Sequence, residues 1–308
     1  MRVIRIGTRG SALARWQSDH VAARLASLAP DARLAIVEIT STGDRVTDVP
    51  LSHVEGTGFF TASIEQALLD GEVDVAVHSY KDLPVAPTPG LTVAGVPARG
   101  PVEDVLCARD EHTLATLPHR ARVGTCSARR TAQVAAARPD FDFRPLRGNV
   151  PTRVGKIAGG ELDAIVLARA GLVRLGLERH ITQVFALGEV LPAPAQGALA
   201  LQCREGDDAI AAQLRRLDDE WTRRAVDAER VLLHALGGGC SVPVGAIARR
   251  EGDGLSIEAG VFGMDARAVR ARAAGRDPQA LGRDTAQRLI DQGAGDILAA
   301  YGKAGTIL

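Results

Sequence analysis

The sequence predicts an α/β protein that closes in a small α+β module. Strand-like and helix-like runs alternate over the first two thirds, the alternation restarts once after Pro97 to Pro101, and the last third strings three short strands together before a closing helix. Alternation argues for mostly parallel sheets with helices on their faces, and consecutive strands joined by tight turns argue for an antiparallel sheet.

In order, Val3–Ile6 reads as a strand and 12–28 as a helix, which Ser11 caps and whose spacing puts Leu13, Trp16, Val21, Leu25 and Leu28 on one broad face. Leu34–Thr40 and Val73–His78 are the next strands, with a helix through Ile64–Leu69 between them. In the middle third, Arg122–Thr125, Phe141–Leu146 and Asp163–Ala168 read as strands, with helices opening near Ser127, Val150 and Ala170. After the break Pro192-Ala193-Pro194-Ala195-Gln196-Gly197, the run Ala198–Gln202 is a strand placed to return to the first sheet, which makes a two-segment hinge. A helical stretch follows over 207–235 with a break near Leu217–Glu220. Pro243–Ala248, Leu255–Val261 and Ala266–Ala273 then form the antiparallel strands, with turns at Gly252-Asp253-Gly254 and Gly263-Met264-Asp265. A helix over 278–292 covers that sheet with Leu281, Ala286, Leu289 and Ile290. The expected domains are 1–98 with 197–216, then 103–192, then 219–308.

Composition narrows the function. Lys plus Arg and Asp plus Glu both total 37 in 308 residues, so no net field draws in nucleic acid or an anionic membrane. Six Phe, two Trp and two Tyr leave little for base stacking. The N-terminal residues enter a strand directly, without the apolar stretch of a secretory signal, and no apolar run approaches the roughly 20 residues that span a bilayer. The expectation is a cytoplasmic protein without nucleic-acid or membrane partners, and no long exposed heptad suggests an oligomer. Cys107, Cys126, Cys203 and Cys240 form no CxxC pair and the seven His are scattered, so neither a metal site nor a disulfide framework is indicated. No GxSxG elbow, Walker A segment or strand-borne GxGxxG is present.

What chemistry there is gathers at strand ends. Open α/β sheets bind ligands beyond the carboxyl ends of their strands. There lie Thr8-Arg9-Gly10-Ser11, Ser79-Tyr80-Lys81-Asp82, Gly124-Thr125-Cys126-Ser127-Ala128-Arg129-Arg130, Arg147-Gly148-Asn149 with Arg153, and Arg174. Guanidinium forks and helix N-termini favour carboxylates and phosphates, so the expected ligand is a polyanion. Asp82, between Lys81 and Pro84, sits on a fixed turn among cations, where a carboxylate can accept an N–H or offset a developing positive charge. His78 reads as a core histidine of an apolar strand. Gly237-Gly238-Gly239 precede Cys240, and the segment has two readings: a buried thiol in a tight turn, or a thiol with room for a large attached group.

These segments, with Leu146-Arg147-Gly148-Asn149-Val150 and Gly238-Gly239-Cys240-Ser241-Val242-Pro243, resemble in order and over essentially the whole chain those of the porphobilinogen deaminases, also called hydroxymethylbilane synthases. The resemblance implies two hinged domains like those of type II periplasmic binding proteins, followed by the small α+β domain, in a monomer. It implies a dipyrromethane cofactor joined by a thioether to Cys240. It also implies a transferase reaction of tetrapyrrole (porphyrin, haem) biosynthesis: four porphobilinogen molecules join head to tail with loss of ammonia, and hydrolysis frees hydroxymethylbilane. Asp82 matches the catalytic aspartate of the family. Arg9, Ser11, Arg129, Arg130, Arg147, Arg153 and Arg174, assisted by Ser79, Lys81, Thr125 and Ser127, match positions that bind the acidic side chains of cofactor and substrate. Phe60 matches an aromatic that covers the pyrroles.

Three departures stand out. His53 and Thr57 occupy places where many members carry lysines, so two lid cations are not carried over. The stretch Arg99-Gly100-Pro101-Val102-Glu103-Asp104 departs from the usual acidic-Pro-Arg pattern, and Ala195 replaces a common glycine before Gln196. Two competing classes share this kind of scaffold. One is an anion-binding protein without catalysis, which Cys240 and its module argue against; the other is a DNA-binding regulator, which lacks here a helix-turn-helix segment and a basic face.

Overall fold

The computed structural model describes residues 3–30, 32–40, 61–239 and 242–304. The loop bearing His53 and Thr57, together with Phe60 and Cys240, lies outside the described residues.

The chain divides into two units, Met1–Gly100 with Gly197–Arg224 and Pro101–Gln196 with Ala225–Leu308. Strands β1 (Val3–Thr8), β2 (Arg33–Glu38), β3 (Val75–Ser79) and β4 (Leu91–Gly95) belong to the first unit. Strands β5 (Asp104–Ala108), β6 (Arg122–Gly124), β7 (Asp142–Arg144), β8 (Ala164–Ala168) and β9 (Gln183–Val184) belong to the second. Strand β10 (Leu199–Arg204) returns to the first, and β11 (Val244–Glu251), β12 (Gly254–Phe262) and β13 (Ala268–Gly275) complete the second.

The first sheet has the order β2-β1-β3-β10-β4, with β1 parallel to β2 and β3, and β10 antiparallel to β3 and β4. The second has the order β7-β6-β8-β5-β9, with β6 parallel to β7 and β8, and β5 antiparallel to β8 and β9. Both sheets are therefore mixed. In the first, the returning strand read from Ala198–Gln202 supplies the antiparallel member. In the second, the antiparallel β5 is an apolar run too short and too close to Pro101 to stand out from periodicity. Strands β4 and β9 and the last helix, Ala294–Ala304, also escape the sequence reading; Gly295 and Gly302 weaken the helical signal.

One device recurs in both units. Both backbone groups of Arg5 on β1 bind Asp74, just ahead of β3: Asp74 N donates to Arg5 O at 2.8 Å, and Arg5 N donates to the Asp74 carboxylate at 2.9 Å. Arg122 on β6 does the same with Asp163, just ahead of β8, at 2.9 and 2.8 Å. In each pair the guanidinium then closes on the same carboxylate, which pins the parallel register at the strand starts. Burial pushes the Asp74 carboxyl up, but hydrogen bonds from Arg5 and Arg204 prevail and hold it down at about 2.

Helix α1 (Ala12–Leu28) starts where Ser11 Oγ accepts the Ala14 N–H at 3.3 Å. Its buried face is partly polar. Val21 and Leu25 enter the core with Ile4, Ile6, Val75, Val77 and Leu201, each large side chain contributing about 1.5–3 kcal/mol. Gln17 and Ser18 are buried one turn earlier, while Trp16, expected in the core, is at the surface, stacked on His20. Helix α2 (Ala62–Leu69) buries Ile64, Ala67 and Leu68 against Val73, Ala76 and Leu91.

In the second unit, α3 (Ala128–Ala137), α4 (Val150–Ala158) and α5 (Arg169–Arg174) follow β6, β7 and β8. The second sheet buries Leu106, Val123, Val134, Val166 and Phe185 on one face and Leu146, Ile165, Leu167 and Leu172 on the other. The three-stranded sheet β11-β12-β13 is antiparallel throughout and packs Ile247 and Phe262 on Ala132 and Leu191. Helices α6 (Asp208–Arg215) and α7 (Glu220–Ala235) realise the stretch read as broken near 217–220, and α8 (Pro278–Asp291) covers β12 and β13 before α9 (Ala294–Ala304).

Candidate active site

The candidate residues divide between the units. In the first, β1 and β3 are parallel neighbours, so their carboxyl ends bring Arg9-Gly10-Ser11 and Ser79–Asp82 to the same end of one sheet. The Glu38 carboxylate, at the end of an exposed side chain, lies against Gly10, so a side chain at position 10 would displace it. Ser11 is occupied as a cap, and Ser79 Oγ accepts from Gln17 Nε2 at 2.8 Å, which explains the polar start of the buried α1 face. Tyr80–Asp82 forms a single 3₁₀ turn, with Tyr80 buried, Lys81 half-buried and Asp82 exposed. Its N–H anchor is Tyr80 N donating to Ala198 O at 3.0 Å on the returning segment.

His78 lies beneath this turn and is a core residue, as read from the sequence. Its Nε2 bonds Gln202 Oε1 at 3.1 Å, Gln202 Nε2 donates to Glu65 at 2.8 Å, and Thr88 Oγ1 donates to the same Glu65 oxygen at 2.9 Å. Burial pushes the imidazole below its ordinary value, against the attraction of Glu65 and Asp82.

In the second unit, β6, β7 and β8 are parallel neighbours and end in the remaining candidates. Thr125 is buried and its Oγ1 accepts the Ser127 N–H at 3.2 Å; Ser127 opens α3 without capping it by its side chain. Asn149 caps α4 through Thr152, and Arg153 Nε donates back to Gly148 O at 2.7 Å. Gly148 has φ +99°, which a side-chain-bearing residue rarely adopts. Arg147 and Arg153 are half-buried. Arg174 lies in the last turn of α5, where burial lowers its guanidinium to about 10; Arg169, directly at the β8 end, pairs with Glu103 at 3.3 Å.

Arg129 and Arg130, expected to face a ligand, are instead held inside this unit. Both are buried and both bind Asp104: Arg129 Nη1 at 2.6 Å, Arg130 Nη2 at 2.7 Å and Nε at 3.0 Å. Arg129 also donates to Leu191 O, Arg130 to Val166 O, and Gln196 Nε2 joins the Asp104 carboxylate at 3.0 Å. Burial pushes the Asp104 carboxyl up, yet the two guanidiniums hold it well below the usual carboxylate range. The two arginines are adjacent in sequence while their acid lies on another strand, so only its conspicuous place after Pro101 could have signalled the pairing.

The glycines before Cys240 have structural reasons of their own. Gly237 ends α7 with φ +66°, and Gly238 N donates to Leu233 O at 3.0 Å. A Cβ on Gly238 would meet Leu233 Cδ1 at 2.6 Å and Val242 Cγ2 at 2.8 Å. Close packing rather than room for a group accounts for Gly238.

Among the described residues, no group of three or more His, Cys, Asp or Glu could hold a metal ion, and no helix is long and apolar enough to cross a membrane.

The family described as "Porphobilinogen deaminase, dipyromethane cofactor binding domain" matches residues 4–212, and "Porphobilinogen deaminase, C-terminal domain" matches residues 223–291. A porphobilinogen deaminase from Brevibacillus brevis is 46% identical over 297 residues, covering 96% of both chains. One from Corynebacterium efficiens is 46% identical over 303 residues, covering 96% of this chain and 99% of its own. Among solved structures, a periplasmic binding protein from Salmonella typhimurium aligns at a TM-score of 0.38 and 14% identity, covering 70% of this chain and 92% of its own. With both family domains matched in order and relatives similar over nearly their full length, the chain belongs to the porphobilinogen deaminase family.

Proposed function

We propose that this protein is a hydroxymethylbilane synthase, joining four porphobilinogen molecules head to tail with release of ammonia and freeing the product by hydrolysis. The observation that carries the reading is the Ser79–Asp82 turn, which sets an exposed carboxylate beside a lysine at the carboxyl end of β3, within the matched cofactor-binding domain.

The donor set fits dipyrromethane, a group with several carboxylates and pyrrole N–H donors. The first unit offers Arg9 and Lys81 as cations, the Ser11 and Ser79 hydroxyls and Asp82 as an acceptor, and the second offers Arg147, Arg153 and Arg174 as cations with the Thr125 and Ser127 hydroxyls. When bound, through Cys240 in this proposal, the group supplies a primer with a free pyrrole α-carbon. The arginines neutralise acetate and propionate side chains and orient each incoming porphobilinogen. Arg129 and Arg130 contribute differently: two guanidiniums on one carboxylate leave one positive charge in excess, which favours a polyanion without touching it. Asp82 accepts the pyrrole N–H of porphobilinogen and stabilises the positive charge that develops on that ring as the amine departs. Phe60 is assigned the role of covering the rings by its match to the family's aromatic alone.

For the proposed domains 1–98 with 197–216, 103–192 and 219–308, the separate five-stranded sheets support the first two and the start of the second family domain at residue 223 supports the third. A cytoplasmic monomer is the remaining part of the proposal, and elution at about 32.3 kDa in size exclusion would support it. The direct test is incubation with porphobilinogen: formation of hydroxymethylbilane with ammonia release supports the reading, and binding of porphobilinogen without turnover favours the anion-binding alternative.

A further inference from the structure

Strands β6 and β7 stop pairing at Gly124 and Arg144, and Thr125 N then donates to Arg144 O at 3.0 Å. The next rung is made by a side chain. Cys126 Sγ donates to Leu146 O at 2.9 Å and accepts the Leu146 N–H at 3.0 Å. One thiol thus satisfies both backbone groups of a residue twenty positions away. Leu146 is buried, so these groups would otherwise lack water as well as a ladder partner. Arg147 follows directly, then Gly148 and the α4 cap Asn149, while Thr125 and Ser127 flank the thiol in the turn between β6 and α3.

We infer that Cys126 is a positioning residue of the reaction, its thiol clasping the Leu146–Asn149 loop so that Arg147 is set against Thr125 and Ser127 for substrate carboxylates. This rests on the proposed function. The clasp acts through two hydrogen bonds, so its loss loosens a carboxylate-binding loop without removing a group that touches the reacting carbon. The exposure of Cys126 makes the clasp open to reagents, whereas Cys107 and Cys203 are buried. Burial also pushes the Cys107 thiol up to about 12, so it resists thiolate-dependent modification.

The test compares wild type, Cys126→Ser and Cys126→Ala for cofactor content by intact mass, melting temperature, and steady-state kinetics with porphobilinogen. Cys126→Ser keeps a donor and an acceptor and should stay within about twofold of wild type. Cys126→Ala should raise KM about fivefold or more at nearly unchanged kcat, the size expected for losing about one kcal/mol of hydrogen bonding. Methyl methanethiosulfonate on wild type should label Cys126 and reproduce that KM change, with dithiothreitol reversing it. Equal KM for wild type and Cys126→Ala, with equal cofactor content, would overturn the inference, as would a kcat loss shared by both variants. An inactive wild type would count against the proposed function itself. If Cys126→Ala fails to fold, the reversible labelling of wild type decides the matter by the same KM reading.

Discussion

Arg5 and Asp74 bind each other through backbone and side chain at once, and Arg122 and Asp163 repeat the arrangement in the second sheet. Both carboxyls are held below their ordinary value, Asp74 at about 2, by the arginine bonds that outweigh burial at Asp74 and dominate at Asp163. A group whose pKa is lower in the folded state stabilises the fold above its unfolded value, near pH 4, and that contribution is lost as pH falls through the folded value. The stability these two pairs supply should therefore be flat above about pH 5 and fall between about pH 4 and 2, on top of an earlier decline below about pH 6.5 from the buried His78, whose imidazole is held below its ordinary value. Urea midpoints measured against pH check this, and Asp74→Asn should lower the neutral midpoint while flattening the acid limb.

Asp104 carries two buried guanidiniums and the Gln196 amide. Asp104→Asn would leave those charges inside the unit without a counter-charge, and breaking a buried ion pair costs about 3–5 kcal/mol. The measurement is denaturant unfolding at neutral pH; a loss under about 1 kcal/mol would mean that solvent reaches the cluster.

Gly238→Ala forces a Cβ into Leu233 and Val242. Overpacking of this kind costs about 1–3 kcal/mol, and the strain falls two residues before Cys240. The expected outcome is a lower melting temperature with slower or incomplete cofactor loading, read by calorimetry and intact mass.

Ala195 is buried at φ +61°, and its N–H donates to Glu229 at 2.6 Å, with Ala248 N donating to the other carboxylate oxygen at 2.8 Å. Glu229→Ala removes the acceptor for two buried backbone donors and should cost about 2–4 kcal/mol. Ala195→Gly relieves the left-handed strain but gives up a buried methyl and adds unfolded-state entropy, so it should stay within about 1 kcal/mol of neutral. Paired unfolding curves distinguish the two.

What was legible in the sequence was local. Helix α1 has the expected bounds because its cap and its neighbours in sequence set them, and the return of β10 is signalled by the Pro-rich break ahead of it. Less legible was anything that depends on partners far along the chain. The arginines of Ala128-Arg129-Arg130 look alike to a reader of strand ends, yet their direction is decided by Asp104 from another strand. Trp16 has a core-like side chain, but the place it would have taken belongs to Gln17, which reaches Ser79 sixty-two residues away. Cys126 sits in the motif in plain view, and only the geometry of Leu146 gives it a task.

Asp82 on the exposed turn is the residue on which the proposed chemistry depends. Asp82→Asn should keep melting temperature and cofactor content near wild type while lowering kcat by about a hundredfold or more, the cost of removing a preorganised charge. Near-normal turnover by the folded variant would remove Asp82 from that role.

The most direct measurement is the intact mass of the denatured protein with peptide mapping around residue 240. The expected result is an added mass equal to two linked pyrrole units on Cys240, absent from Cys240→Ser. An unmodified Cys240 that stays unmodified after incubation with porphobilinogen or preformed hydroxymethylbilane would contradict it.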